Sequence, residues 1–313
     1  MSHGAPTRTL RWRVGAVRVS AILEIDWSLR LDWMVPEATA AALTDLAWVY
    51  DRFVRADGTM TIAVQAFVIE SHGRRIVVDT CAGNGKRRGG VVERFDALAT
   101  DFPARFAAAG SPFATIDTVV CTHLHFDHVG WNTMLVDGEW VPSFPDARYV
   151  IGAADLTHWA THPEEMHAAA FDDSVAPLVA RGLVDPVTPE HELTREVRLI
   201  PTPGHSPGHL SVWIESQGHA AVITGDMVHH PVQLARPEWR DTSDTDAAAA
   251  AVTRRAFADR VRGAGVLVLG THFDAPTGGT LAVRDGDAMF VPATPESATT
   301  PVTDLDAHLE QDS

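Results

Sequence analysis

Cysteine is scarce in this 313-residue sequence, which contains only Cys81 and Cys121. Neither belongs to a CxxC pair, and two cysteines are too few for a disulfide framework. We therefore expect two buried thiols in a protein of the reducing cytoplasm.

Positive charge and long apolar runs are scarce as well. The 41 Asp and Glu residues outnumber the 25 Lys and Arg residues, and the formal net charge of -16 disfavours a nucleic-acid backbone as a partner. The only short basic cluster, residues 86–88, is interpreted as a solvated loop. No run of about 18 apolar residues occurs, and no apolar segment follows the N-terminal arginines. The sequence therefore predicts neither a transmembrane helix nor a secretory signal, and no membrane partner.

Short apolar runs typical of strands dominate the first half of the chain, for example at residues 61–70 and 116–121. Later strand-like runs alternate with helical segments, of which residues 246–262 are the clearest, with Ser243 or Asp244 as the expected N-cap. This order predicts an α/β (α+β) fold in which helices cover the sheets.

Other segments are less regular. Residues 93–109 have helical spacing with an expected break at Pro103, and residues 26–36 show no clear pattern. Residues 1–283 are predicted to form the folded domain, and residues 284–313 an acidic, mobile tail.

The strongest chemical signal is THLHFDHVG at residues 122–130, directly after an apolar strand. Residues two apart on an extended chain point the same way, so His123 and His125 can face one ion. The chain then turns, which lets Asp127 and His128 face a second point nearby. Imidazole and carboxylate ligands of this kind suit zinc.

Three further candidate ligands each follow a predicted core strand. They are His205 in TPGHSPGH, Asp226 in TGD and His272 in GTH. Functional residues commonly lie where a rigid strand meets a loop. The Asp226 carboxylate is suited to bridge two cations and to offset their mutual repulsion.

Together, HLHFDH at 123–128, PGH, GD and GTH resemble the metallo-β-lactamase-fold hydrolases from about residue 20 to residue 280. The resemblance implies an αβ/βα four-layer sandwich with two divalent metal ions in a cleft at one sheet edge. Zinc is the expected metal, although manganese, iron or cobalt also fits these ligands. By the family pattern, the first ion is held by His123, His125 and His205, the second by Asp127, His128 and His272, and Asp226 bridges both. Asp79 and Gly83, in VDTCAGN, match a family element that supports the site.

The predicted reaction is hydrolysis. Two cations that share a water lower its pKa from 15.7 towards about 7, so hydroxide is available at neutral pH to attack a carbonyl carbon or a phosphorus centre. Asp127 is expected either to orient the nucleophile or pass a proton to the leaving group, or to act only as a ligand.

Within the family, the motifs look most like the branch of lactonases and methyl parathion hydrolases. Many lactonases of that branch carry a tyrosine three residues beyond the bridging aspartate, where this sequence has His229. That difference disfavours a homoserine-lactone substrate, although His229 remains a candidate donor to the substrate oxyanion. Trp27 and Trp33 are expected to line an apolar pocket for a hydrophobic ester or lactone.

Several alternatives stay open at this stage. An organophosphate triester hydrolase or a thioesterase on the same fold is one class. A non-catalytic, metal-stabilised binding protein is another, which the complete set of seven ligands disfavours. The resemblance also suggests a homodimer.

Overall fold

The computed structural model describes residues 9–162, 168–188, 190–284 and 287–296. The strands of the first half are β1 (Thr9–Val14), β2 (Val17–Arg30), β3 (Thr59–Ser71), β4 (Arg74–Val78), β5 (Thr118–Cys121), β6 (Thr133–Val136), β7 (Glu139–Pro142) and β8 (Arg148–Gly152). Those of the second half are β9 (Val184–Val187), β10 (Glu192–Thr194), β11 (Val197–Pro201), β12 (Leu210–Ser216), β13 (His219–Ile223), β14 (Leu267–Leu269), β15 (Gly278–Arg284) and β16 (Asp287–Pro292). The α-helices are α1 (Leu31–Met34), α2 (Trp48–Arg52), α3 (Phe102–Ala108), α4 (Phe126–Val129), α5 (Ala153–Thr161), α6 (Ala168–Ser174), α7 (Ala176–Ala180), α8 (Val232–Ala235) and α9 (Ala247–Val261).

Two mixed sheets form the centre of the molecule. The first has the strand order β1-β2-β3-β4-β5-β8-β9 and the second β10-β11-β12-β13-β14-β15-β16, while β6 and β7 form a separate hairpin. The pairs β4–β5, β5–β8, β8–β9 and β13–β14 are parallel, and the other neighbours are antiparallel. Parallel neighbours direct their carboxyl ends to the same edge, and that edge of each sheet carries the motifs.

Apolar side chains fill three layers. Between the sheets, Phe67 and Val120 pack with Val212 and Ile223. Helices α3 to α7 cover the outer face of the first sheet, and α8 and α9 cover that of the second. The fold is therefore the four-layer αβ/βα sandwich that the sequence predicts.

The N-terminal segment is more regular than its sequence suggests. Strand β2 continues to Arg30 and includes Trp27, and Trp33 lies in the short helix α1. Strand β2 pairs with β3 from Arg18 to Arg30, with one register shift between Leu23 and Ile25. Apolar and polar residues alternate from Ile25 onwards, because one face of the strand is covered and the other is exposed.

Two helix predictions need correction. Residues 90–95 form a 3-10 turn, and α3 begins only at Phe102, so Pro103 stands in the first turn of a helix, where proline is tolerated, and does not break one. Helix α9 is capped by Asp246, whose Oδ1 accepts the N–H groups of Ala248 and Ala249 at 3.0 Å, and not by Ser243 or Asp244.

The basic cluster at residues 86–88 is solvated only at Arg87, whereas Lys86 and Arg88 are buried. Lys86 is fully buried, with its Nζ 3.3 Å from Asp173 Oδ1 and 3.8 Å from the centre of the Trp140 ring. Arg88 is also buried against Asp173, at 2.7 Å. Burial lowers the pKa of Lys86 to about 8.

The two cysteines are buried free thiols, as predicted. Burial raises the pKa of Cys121 to about 12. No α-helix among the described residues is long and apolar enough to cross a membrane.

Strand β16 pairs with β15, so the second sheet continues beyond residue 283, where the sequence predicts the domain to end. The rest of the predicted tail, residues 297–313, lies outside the described residues.

Candidate metal centre

The seven predicted ligands meet where strands β5, β11, β13 and β14 end. Ligand atoms of His123, His125, His205 and Asp226 lie within 4.8 Å of one another, and those of Asp127, His128 and His272 form a second such group. All are buried except Asp127, whose side chain is 12% exposed. The structure thus groups these residues as the sequence predicts.

The first motif owes its shape to backbone anchoring. Asp79 accepts the Thr122 N–H at 2.8 Å directly after β5, and α4 then places Asp127 and His128 within one turn. Gly130 is required by close packing, because a Cβ there would lie 1.9 Å from the Ala82 carbonyl oxygen. Its φ of -58° is ordinary, so Gly130 does not provide the turn itself.

Asp226 faces both groups with one oxygen each. Its Oδ1 lies 3.2 Å from His128 Nε2 and 3.1 Å from His272 Nε2. Its Oδ2 lies 3.5 Å from His123 Nε2 and 3.4 Å from His205 Nε2. This is the arrangement that a carboxylate bridging two cations requires.

The donor set fits divalent cations on chemical grounds. His123 Nε2 and Asp226 Oδ1 are buried and have no hydrogen-bond partner among the described residues. Buried polar atoms without a partner are rare in proteins, and a bound ion satisfies them. Burial, followed by neighbouring imidazoles, lowers the pKa of His123 well below its usual value. Burial alone would raise the pKa of Asp226, but the surrounding histidines outweigh burial and hold that pKa well below its usual range.

Outer hydrogen bonds orient the ligand histidines. His128 Nδ1 donates to Asp79 Oδ2 at 2.8 Å, and His272 Nδ1 donates to the Ala63 carbonyl at 2.6 Å. Each bond leaves Nε2 directed at Asp226. Such outer partners fix the ring orientation and the tautomer of metal-binding histidines. Asp79 therefore lies where the sequence predicts a supporting residue.

The loop that carries His205 is held by two residues. Asp155, in α5, accepts the Ser206 hydroxyl at 2.8 Å and the Gly208 N–H at 2.5 Å. His209 Nε2 accepts the Asp226 N–H at 2.9 Å, so His209 supports the backbone of Asp226. Asp155 lies outside all the sequence motifs, so sequence reasoning missed it.

Residues 241–246 supply further carboxylates that the motif analysis missed. Asp241 Oδ2 lies 3.1 Å from His229 Nδ1, and Asp244 Oδ1 lies 3.6 Å from His205 Nδ1. Asp244 is also paired with the fully buried Arg254, at 2.9 Å. The run DTSDTD contains these acids, but the sequence predicts a role only for Asp244 among them, as a helix cap.

His229 lies inside the centre. It is 5% exposed, its Nε2 is 3.0 Å from Asp226 Oδ2, and its ring stacks on that of His272 with centroids 5.1 Å apart. For both His229 and His128, burial opposes protonation, but buried carboxylates outweigh burial and raise the pKa well above its usual value. The same balance between burial and nearby carboxylates thus sets the direction of the pKa shift in both histidines.

A cleft of about 160 Å³ opens above the ligands. The predicted pocket residues Trp27 and Trp33 line its apolar wall together with Phe95 and Phe126, and Asp127, Asp226, His229 and His272 line its polar part. Trp27 and Phe95 meet edge to face at 5.0 Å, while Trp33 is 60% exposed at the mouth. The arrangement places an apolar surface next to the candidate metal ligands.

Known proteins with similar sequences include metal-dependent enzymes. The N-acyl homoserine lactonase of Bacillus thuringiensis is 28% identical over 105 residues, which is 34% of this chain and 35% of the lactonase. The probable metallo-hydrolase YflN of Bacillus subtilis is 27% identical, over 50% of this chain and 67% of YflN. The chain thus spans about a third of the length of the lactonases that it matches.

Solved structures share the fold over nearly the whole chain. The dizinc quorum-quenching lactonase AidC, in complex with a product, superposes with a TM-score of 0.75 at 18% identity, covering 91% of this chain and 97% of AidC. The hydrolase AbOPH of the beta lactamase superfamily gives 0.74 at 23% identity, covering 92% and 98%. The family model of the metallo-beta-lactamase superfamily matches residues 61–272. The chain therefore belongs to the metallo-β-lactamase superfamily.

Proposed function

We propose that this protein binds two divalent cations, with zinc as the expected metal, and hydrolyses a hydrophobic lactone or ester. The observation that carries the proposal is the position of Asp226. One of its oxygens faces each ligand group, and the carboxylate lies directly below an apolar cleft. A shared carboxylate supports two adjacent cations, and the cleft supports a substrate with apolar substituents.

We divide the ligands as the family pattern implies. His123, His125 and His205 would hold one cation, Asp127, His128 and His272 the other, and Asp226 both. When bound, such a pair of cations lowers the pKa of water to about 7 and polarises the oxygen of the substrate.

Asp127 is the ligand best placed to act on the substrate. Its carboxylate lines the cleft and lies 3.7 Å from His272 Nε2 and 3.8 Å from His128 Nε2. A partly exposed carboxylate at this position can orient the attacking water or transfer a proton to the leaving alcohol.

The walls of the cleft support an apolar acyl or alcohol group. Trp27 and Phe95 form a rigid edge-to-face pair, and Trp33 extends the apolar surface towards solvent. His229 also lines the cleft, and its predicted role as a hydrogen-bond donor to the substrate stays a prediction. The similarity to lactonases supports the choice of a lactone or ester.

The proposal is tested by assaying zinc-loaded protein on N-acyl homoserine lactones, other lactones, aryl esters, thioesters and phosphotriesters. We expect turnover of lactones or aryl esters that stops when a chelator removes the metal. Preference for phosphotriesters or thioesters would replace the proposed substrate with one of those classes. Binding of two cations without turnover of any substrate would instead support a binding protein.

Two further proposals concern the setting of the protein rather than its chemistry. The family resemblance supports a homodimer, which sedimentation equilibrium of the purified protein tests. The two buried free thiols are consistent with a cytoplasmic location, which fractionation of the source cells tests.

A further inference from the structure

One histidine lies inside the ligand cluster although it belongs to none of the metal-binding motifs. His229 follows Asp226 by three residues and is almost completely buried. A ring nitrogen of His229, a ring nitrogen of His272 and a carboxylate oxygen of Asp226 lie within 4.8 Å of one another. The atoms of this third group are therefore as close together as those of the two groups of predicted ligands.

The predicted ligands of the second cation show how a histidine is arranged to bind metal here. His128 gives its Nδ1 proton to Asp79, and His272 gives its Nδ1 proton to the carbonyl oxygen of Ala63. Both partners only accept hydrogen bonds, so Nδ1 carries the proton and the Nε2 lone pair of the neutral ring is free. In each ring this Nε2 lies within 3.2 Å of Asp226 Oδ1.

His229 stands between two carboxylates in a comparable way, except that its Nδ1 approaches Asp241 closely without forming a hydrogen bond. Its Nδ1 lies 3.1 Å from Asp241 Oδ2, and its Nε2 lies 3.0 Å from Asp226 Oδ2. Asp241 is completely buried and immobilised, since its other oxygen accepts the backbone N–H of Ser243 at 2.9 Å and the Ser243 hydroxyl at 2.5 Å. A carboxylate next to Nδ1 stabilises the form of the neutral ring that carries its proton on Nδ1, which leaves the Nε2 lone pair directed into the centre.

We propose that His229 is an eighth ligand of the metal centre, sharing a cation with Asp226 and His272, and that Asp241 is its positioning residue. This rests on the proposed function only in requiring bound cations. It differs from the role predicted from the sequence, because a metal ligand must present the Nε2 lone pair, whereas a donor to the substrate oxyanion must carry a proton on Nε2.

The experiment compares the wild-type protein with His229→Ala, Asp241→Asn and the control His230→Ala. His230 is the neighbouring buried histidine, but its Nδ1 accepts the Val232 N–H and its ring packs on Phe53, outside the ligand groups. Each protein is loaded with Co²⁺. Metal analysis gives the number of ions per chain, competition with a chelator gives their affinities, and visible absorption reports the coordination of Co²⁺.

We expect two ions in the wild-type and His230→Ala proteins. Loss of an outer partner lowers metal affinity by about 10–100-fold, so this is the loss expected for one ion in Asp241→Asn. The loss of a direct ligand in His229→Ala should exceed about 100-fold, and both substitutions should change the visible spectrum. Asp241→Asn preserves the shape of the side chain and so tests the proposal even if His229→Ala fails to fold.

The proposal is overturned if both substitutions leave the affinities and the Co²⁺ spectrum unchanged. A raised KM with unaltered metal binding would then assign His229 to the substrate. Failure of the proposed function gives a different result. In that case the wild-type protein binds two ions and turns over no substrate, while the metal measurements still decide the role of His229.

Discussion

Asp226→Ala is the most informative single substitution in this protein. It removes both carboxylate oxygens from a point where five imidazole Nε2 atoms converge at 3.0–3.5 Å. Loss of an outer partner of one metal ligand typically lowers metal affinity or activity by about 10–100-fold. Because Asp226 faces both ligand groups directly, the loss applies to each, and the combined effect on activity should reach about 100–10,000-fold.

The assay measures metal per chain by mass spectrometry after gel filtration, and kcat/KM on the best substrate of the panel. We expect at most one zinc ion per chain in the variant, against two in the wild type. Asp185→Ala is the matched control, since its half-exposed carboxylate pairs with Arg148 at the surface and should leave both quantities unchanged. Two tightly bound ions and an undiminished rate in Asp226→Ala would refute the shared-ligand interpretation.

Four smaller perturbations test other parts of the structure. Asp79→Asn should lower metal affinity about 10–100-fold in a chelator competition, because it replaces the acceptor of the His128 Nδ1 proton; an unchanged affinity contradicts this. Trp33→Ala should raise KM for aryl esters several-fold and leave kcat nearly unchanged, since it removes only apolar surface at the mouth of the cleft; a fall in kcat alone argues against that position. The pKa of Lys86 falls on folding from 10.5 to about 8, so at this side chain the unfolded state binds more protons between these values, and the contribution of Lys86 to stability should rise with pH across that window, by at most about 3 kcal/mol. Urea unfolding from pH 7.5 to 10.5 should show this as a growing difference in stability between the wild type and Lys86→Met, because the raised pKa of the buried Cys121 thiol lowers stability equally in both proteins; a constant difference would contradict it. Asp246→Ala should lower the free energy of unfolding by about 1 kcal/mol, because two N–H groups of α9 lose their cap; a change within error would contradict this.

The ligands of the centre were predictable because each lies in a local pattern. His123 and His125 follow an apolar strand at a spacing of two, and Asp226 and His272 stand directly after short apolar strands. A strand fixes the direction of the residues just beyond it, so a short segment of sequence is enough to predict where those side chains point. The order of these motifs along the chain, compared with a known family, then indicated the fold.

Segments whose structure depends on distant contacts were not predictable in the same way. The strand that carries Trp27 is defined by pairing with β3, more than thirty residues later. The sequence around Lys86 predicts a solvated loop, but Asp173, eighty-seven residues away, makes the burial of Lys86 possible. A buried charge requires a partner, and the sequence around the charged residue does not show which distant residue that partner is.

The identity of the ligands is predictable from local sequence, whereas the orientation of their rings depends on distant residues. An imidazole can bind a cation through either nitrogen, and the acceptor on the other nitrogen determines which one is available. For His128 that acceptor is Asp79, and for His229 the carboxylate of Asp241 lies beside Nδ1; each acid comes from a different part of the fold. A motif therefore specifies which residues can reach the metal, whereas the supporting acids specify which lone pair is presented. For this reason Asp241, which lies in no recognised motif, is expected to matter as much for metal affinity as Asp79, which does.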